Sequence, residues 1–521
     1  MQKEQSIFNE WIPNKIIIGL LVLVALPQMF VLSLFSMNST FTASFLDIDV
    51  DDVQFLFSLG YLMIVIGMFL NTRFLHYFNI RNYCLFMTML NIVLLFGTTL
   101  TRNGEVLVIL RIMQGMACLF EGCIVVPLIM ARIKSDNARI IAFSIMYSTM
   151  LTGDKFATYL VKFAIENYTH NMMIYSIIIF HVIALIVYVF IFNHGRMYPK
   201  KPLYQLSIGG IFFIMVALIG GAFTLVYGKR YYWFESPYII TSFTVFLVFS
   251  GLFLFHQRTA KRRIFQFEVL KSERVVVGLI LFFCFYILRS CMSNIYQVMN
   301  VVWHWEWQYV LKIQFFNVIG SFAGVILGYY MLAHKFNYKT IFIIGFLTLS
   351  ISMLWFSYLF IPDLKVDAII PPLTIQGIGQ GIIFTPLLIF IVGSVHPTIS
   401  SSASHIAVTM RFWTNTIGFS IMQNAILHLT TKHLSYMTRN LDITNANYQD
   451  QWNDIFVKNI NGHVYNEAVN LTVRALNSKV YNHALLISNI EIFRTLFVFG
   501  MITILFILVY GPISRKLINR F

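Results

Sequence analysis

The chain is predicted to be an all-α protein that crosses a membrane many times, and three observations carry that expectation. Hydrophobic residues fill 58% of its 521 positions and charged residues only 11%, a balance unsuited to a domain with a hydrated surface. Mean hydropathy is +0.73. Apolar stretches of about 20 residues, each long enough at 1.5 Å per residue to cross roughly 30 Å of hydrocarbon, recur along almost the whole length. They are too long and too evenly apolar to be barrel strands.

Taken in order, the stretches predict fourteen transmembrane helices. The first, 16–38, follows the polar segment MQKEQSIFNEWIPNK and has no small-residue cleavage site, so it is expected to stay as a helix and not to be a removable signal. With 53–72, 82–101, 105–131, 139–165 and 172–193 it makes an N-terminal six-helix bundle within 1–200. Two inserted linker helices, 205–227 and 238–257, occupy 201–264. Spans 275–300, 308–333, 340–361, 368–394, 404–428 and 489–512 make a C-terminal six-helix bundle within 265–521. The last two are separated by a mostly polar extracytoplasmic loop, 429–488, with helix-compatible stretches such as YNEAVNLTVRALNSKVYNHALL. A cap over the outer mouth, a partner contact and a tether without a role are all open for it.

An even number of spans puts both termini on one side, and the cations choose which. Arg73 and Arg81, then Arg132, Lys134 and Arg139, then Arg196, Lys200 and Lys201, and later Arg258 to Arg274, Lys335, Lys339 and Arg515 to Arg520 all fall on that side. The positive-inside rule makes it the cytoplasm. The net charge of +15 is therefore mostly topology, and nucleic acid drops out as a partner. WHWEW (303–307) and YYWF (231–234) fall at the opposite interface, where aromatic rings favour the headgroup level. All five cysteines lie inside predicted spans without a CxxC, which indicates neither a disulfide frame nor a metal site. No phosphate-binding GxxxxGK[ST] suggests ATP use, and no HxxxxD, HExxH or clustered aspartates suggest a lipid-modifying enzyme. Neither a cofactor nor an enzymatic activity is expected.

Two stretches repeat weakly between halves. LRIMQGMACLFEGCIVVP (110–127) and LTIQGIGQGIIFTP (373–386) both place Gln-Gly about three turns before a proline. Such self-similarity marks carriers built from repeated bundles. RIMQG (111–115) is similar to the Arg-x-x-Gln-Gly motif in the fourth span of the major facilitator superfamily. The pattern SASHIAVTMRFWTNTIGFSI within 401–421, together with the span count and the inserted pair, resembles its fourteen-span drug:proton antiporter branch. Over essentially the full chain, the resemblance implies proton-coupled efflux of amphipathic or drug-like small molecules by alternating access. It also implies an integral bacterial inner membrane location and an optional periplasmic adaptor protein.

The departures from that pattern are specific. The first-span region LFSMNSTFTAS (34–44) has no acid, and the loop NTRFLHYFNIRN (71–82) keeps only Arg73 and Arg81 as candidate gating residues. DKFATY (154–159) stands where Gly-Pro-x-x-Gly-Gly would be. Import or uniport of an organic anion, or a transport-dead receptor or scaffold, are the alternatives these departures leave open.

Charges inside the spans are the candidate site. A central charge costs about 2.5–3.5 kcal/mol on insertion scales, so such residues face a cavity or a partner. Glu121, Asp154 and Arg111 are the proton-coupling candidates, with Lys155 as charge-pair partner. Depth counting along antiparallel helices puts Glu121 near Lys155 and sends Asp154 toward Arg111 or the cavity. A salt-bridge network that merely locks two helices is the rival reading. Gln114, Arg289, Asn294, Gln297, Gln376 and Arg411 are candidates to line a substrate cavity. The glycines beside Gln114 and Gln376 are expected to permit close packing, and His181 to be a hydrogen-bonded core residue.

Overall fold

Two helices decide the architecture, and both are more polar than their neighbours. The computed structural model describes residues 7–34, 42, 43, 46–135, 137–167, 171–197, 199, 200, 207–260, 263, 264, 266–396, 399–439 and 446–510. Its α-helices are α1 (Asn14–Ser33), α2 (Val50–Tyr77), α3 (Ile80–Leu100), α4 (Gly104–Gly122), α5 (Val125–Arg132), α6 (Ala138–Asn167), α7 (Asn171–Ile191), α8 (Ile208–Tyr227) and α9 (Pro237–Thr259). They continue as α10 (Glu273–Ser290), α11 (Met292–Val301), α12 (Trp307–Ala333), α13 (Tyr338–Leu359), α14 (Ile370–Gly393), α15 (Ser400–Thr438), α16 (Ala446–Ile460) and α17 (Tyr465–Val509). The protein is all-helical and polytopic, as expected.

Twelve spans have the length and apolarity to cross a membrane among the described residues, against the fourteen expected. The difference is α6 and α15. At 30 and 39 residues both are long enough, but α6 carries Asp154, Lys155 and Lys162, and α15 carries Arg411 among many Ser and Thr residues. Those polar residues have a structural counterpart. Leu151 of α6 is buried in the core cluster otherwise built from residues 269 to 507, and Phe412 of α15 is buried in the cluster of α2 and its neighbours. Each polar helix thus packs across into the other half, α6 against α12 and α14, α15 against α2.

Two expected spans are broken. α4 stops at Gly122 and α5 resumes at Val125, because Pro127 has no N–H to offer the Cys123 carbonyl one turn back. α10 and α11 part at Cys291, where Ser290 Oγ and Ser293 Oγ donate to the carbonyls of Ile287 and Ser290 at 2.7 and 2.9 Å. Such back-bonding competes with the helical ladder.

Within the second half, α12 and α14 pack at backbone distance. A Cβ on Gly324 would run into the carbonyl of Ile378, and one on Gly377 into that of Asn317. Between lipid-solvated helices this close approach, rather than exclusion of water, supplies the attraction. Asn317 Nδ2 adds hydrogen bonds to the Leu373 carbonyl at 2.8 Å and to Gln376 Oε1 at 2.6 Å.

The described residues of the segment 429–488 are largely helical. α15 runs on to Thr438, α16 follows, and α17 begins at Tyr465. With 45 residues, α17 is about 68 Å long, more than twice the roughly 30 Å that hydrocarbon requires. Its polar end is fastened by Thr430 to Ser488 at 3.3 Å, His433 to Glu491 at 3.1 Å, Asn459 to Thr472 at 3.1 Å and Lys479 to Gln451 at 3.0 Å. Here polar residues join the helices to one another, in keeping with the helix-compatible stretches of the sequence.

Candidate functional site

The intramembrane charges divide into a set sealed inside the first half and a set at the meeting of the two halves. Arg111, on α4 and 1% exposed, donates Nε to the carbonyl of Leu56 at 3.0 Å, Nη1 to Val31 at 2.7 Å and Nη2 to Leu32 at 2.6 Å. Val31 and Leu32 lie in the last turn of α1, where carbonyls run short of intrahelical donors and carry the negative end of the helix dipole; Val31 also accepts from the Leu34 N–H at 3.3 Å. The guanidinium fits because residue 60 is glycine: a Cβ there would be 2.6 Å from Nη2. This ties α1, α2 and α4 together.

Glu121 lies ten residues on, fully buried, within reach of α3 and α7. Thr88 Oγ1 donates to its Oε1 at 2.7 Å, Asn91 Nδ2 to Oε2 at 2.9 Å, and the Tyr188 hydroxyl to Oε1 at 3.4 Å. His181 Nε2 stands 3.9 Å from Oε2. The expected pair with Lys155 is not formed. Lys155 Nζ turns instead toward α11, 3.3 Å from the Tyr296 hydroxyl and 5.2 Å from the centre of its ring. The two side chains face different helices, α3 and α7 for Glu121 and α11 for Lys155, a direction that counting residues along a span does not give. The side chain of Asp154 lies outside the described residues, so the contact expected with Arg111 is not described either.

Arg411 is the cation at the meeting of the halves. On α15, its guanidinium carbon lies 5.5 Å from the ring centre of Tyr61 on α2 and 5.7 Å from that of Phe384 on α14, with Nη1 3.6 Å from Met150 Sδ on α6. Among the described residues no carboxylate pairs with it. Aromatic rings continue the lining: Tyr147 meets Phe384 edge-on at 5.1 Å, and Phe282 and Phe285 lie 6.2 and 5.7 Å from Phe384. Arg289, one turn above Phe285, has its guanidinium carbon 6.0 Å from the Tyr286 ring centre. Five helices from both halves therefore present an aromatic, cationic surface. That surface can engage an apolar body and a negative group together.

The remaining candidates separate in the same way. Gln114 is buried and donates to the Leu94 carbonyl at 3.3 Å, and Gln376 serves the α12/α14 contact, so both join helices within one half. Asn294 is buried, with Oδ1 accepting from Ser293 at 3.4 Å, while Gln297 is half-buried on the same helix. Arg81 reaches His194 Nε2 at 3.4 Å, joining two segments of the first half. The Arg73 side chain lies outside the described residues. Sequence reasoning did not single out Thr88, Asn91, Tyr188, Tyr61 or Phe384. The first three were discoverable as polar residues on otherwise apolar helices; the two rings were two among many.

Among the described residues, two cavities lie away from Arg411. One of about 120 Å³ is lined by Thr42, Thr98, Arg102 and Asn171. The other, about 350 Å³, is a crevice between α6 and α12 lined by Ser144, Ser148, Phe322 and Tyr329.

No family model matches the sequence, and no curated protein does. Solved structures do. A proton-dependent oligopeptide transporter aligns at 11% identity over 97% of this chain and 100% of its own, with a TM-score of 0.57. A POT family transporter in complex with a thioalcohol-conjugated peptide aligns at 13% identity over 96% of each chain, TM-score 0.56. The human organic anion transporter MFSD10 aligns at 11% identity over 79% of this chain and 93% of its own, TM-score 0.50. The major facilitator proton:xylose symporter XylE aligns at 13%, TM-score 0.51. At such identities the likeness concerns fold alone, and on that ground this integral membrane protein has a major-facilitator-like fold.

Proposed function

We propose that the chain is a secondary active transporter that moves amphipathic, negatively charged small molecules by alternating access, its two bundles rocking about the surface around Arg411. The observation that carries this reading is an arginine set among Tyr61, Phe384 and Met150, contributed by helices of both halves, with no carboxylate partner among the described residues. A guanidinium left in a low-dielectric interior is costly unless something anionic is brought to it. Its ring contacts supply about 0.5–2 kcal/mol. A substrate carboxylate would add a charge-assisted bond of about 1.5–3 kcal/mol. The aromatic lining suits the apolar remainder of the molecule.

Outward transport in exchange for protons is kept from the resemblance to the drug:proton antiporter branch, as are the fourteen-span topology and the inner membrane. The crevice between α6 and α12 offers an amphipath a way in from the bilayer side. The anion transport named for one fold neighbour is in keeping with this reading, but at 11% identity that likeness carries no substrate.

The test is flux in proteoliposomes with two fluorescent probes, the anion carboxyfluorescein and the cation rhodamine 6G, under an imposed pH gradient. The anion is expected to move, and Arg411→Gln to slow it by about tenfold or more, the loss of one such charge-assisted bond. Preference for the cation, or anion flux unchanged by Arg411→Gln, would overturn the reading.

A further inference from the structure

His181, assigned from the sequence to the apolar core, does not behave as a satisfied core residue. Its Nδ1 lies 2.9 Å from the Ile177 carbonyl, four residues back on α7, so Nδ1 carries a proton. In the neutral ring Nε2 is then an acceptor, yet it is buried without a hydrogen-bond donor and faces Glu121 Oε2 at 3.9 Å. Two acceptors facing each other in a dry interior are unfavourable; one added proton makes either of them a donor.

Among the described residues the surroundings show no permanent cation paired with either group. Around the pair stand Tyr83, Cys84, Thr88 and Asn91 on α3, Cys118 on α4, Cys123 just beyond it, and Tyr188 on α7. Arg111 is about 15 Å away along α4 by helical rise and is engaged by three carbonyls. Thr88, Asn91 and Tyr188 together give the carboxyl three donors, enough to hold it ionised once His181 takes the proton. The helix breaks immediately beyond Glu121, at Cys123 and Ile124, which lets its carboxyl shift relative to α7.

We propose that Glu121 and His181 form a proton-binding site within the first half, a carboxyl and an imidazole sharing one proton between α4 and α7. The inference rests on the transporter reading only for its use: the site would be where a coupling proton is held while Arg411 holds the substrate. Both forms with the proton, carboxylic acid beside imidazole or carboxylate beside imidazolium, are neutral overall. Losing it leaves one negative charge for the first half to carry.

Proton binding can be measured without any substrate. The experiment is infrared difference spectroscopy of the full chain in nanodiscs, stepping pH and reading the carbonyl stretch of protonated carboxyls. A titrating band that is lost in Glu121→Gln is expected. Its midpoint should shift by about one pH unit or more in His181→Gln, whose amide can donate but cannot accept a further proton. His181→Asn serves if the glutamine variant does not elute as a single species. No Glu121-dependent band in the wild type, or a midpoint unmoved by either histidine variant, would overturn the proposal. Either result stands whether or not the proteoliposomes carry anions.

Discussion

Arg111 and Arg411 are both arginines deep in the fold, and they do opposite things. Arg111 spends its donors on three backbone carbonyls of α1 and α2 and has a glycine opposite to make room. Arg411 has rings and a thioether for neighbours. A buried cation whose donors end on its own backbone is part of the scaffold; one whose donors end on nothing charged is available to a ligand. The contrast teaches that burial alone does not mark a functional charge. Where its hydrogen bonds end does.

The largest effect that could break this contrast is on stability. Arg111→Leu removes three charge-assisted hydrogen bonds to buried backbone carbonyls, about 1.5–3 kcal/mol each, and is expected to abolish recovery of folded protein or lower the unfolding midpoint sharply. Size-exclusion chromatography and thermal unfolding in detergent measure it; a normally folded variant would remove Arg111 from the scaffold. Arg411→Gln should instead leave the unfolding midpoint nearly unchanged, with the loss confined to anion flux. Next in size, Gly324→Leu drives a side chain into the backbone of α14 and is expected to destabilise by about 1–3 kcal/mol or more. Gly251, with no atom near its would-be Cβ, is the control: Gly251→Ala should be neutral or slightly stabilising in the same assay. The smallest expected change sharpens the interface itself. Tyr296→Phe removes the hydroxyl that Lys155 reaches but keeps the ring under it, so stability should fall by about 1 kcal/mol or less, whereas Tyr296→Ala should cost more.

Much of the fold was legible because a bilayer imposes simple rules. Span positions follow from apolar length, and α1 to α14 lie where the hydrophobic stretches placed them. What escaped was direction. Which way Glu121 and Lys155 point depends on how α4 and α6 rotate against their neighbours, and no one-dimensional pattern contains that angle. His181 is the hydrogen-bonded core residue that was expected, but that its other nitrogen faces Glu121 on another helix is not written in α7 alone. The glycines beside Gln114 and Gln376 serve close packing as expected: a Cβ on Gly115 would meet the Gly60 carbonyl and one on Gly377 that of Asn317.

The central claim is that Arg411, and not the sealed charges, meets the transported molecule. It is tested most directly by the equilibrium binding of carboxyfluorescein to the purified chain in nanodiscs, followed by fluorescence anisotropy. The account predicts saturable binding that weakens about tenfold or more in Arg411→Gln and is preserved in Glu121→Gln. Binding that survives Arg411→Gln unchanged, or that is lost with Glu121→Gln instead, would contradict it.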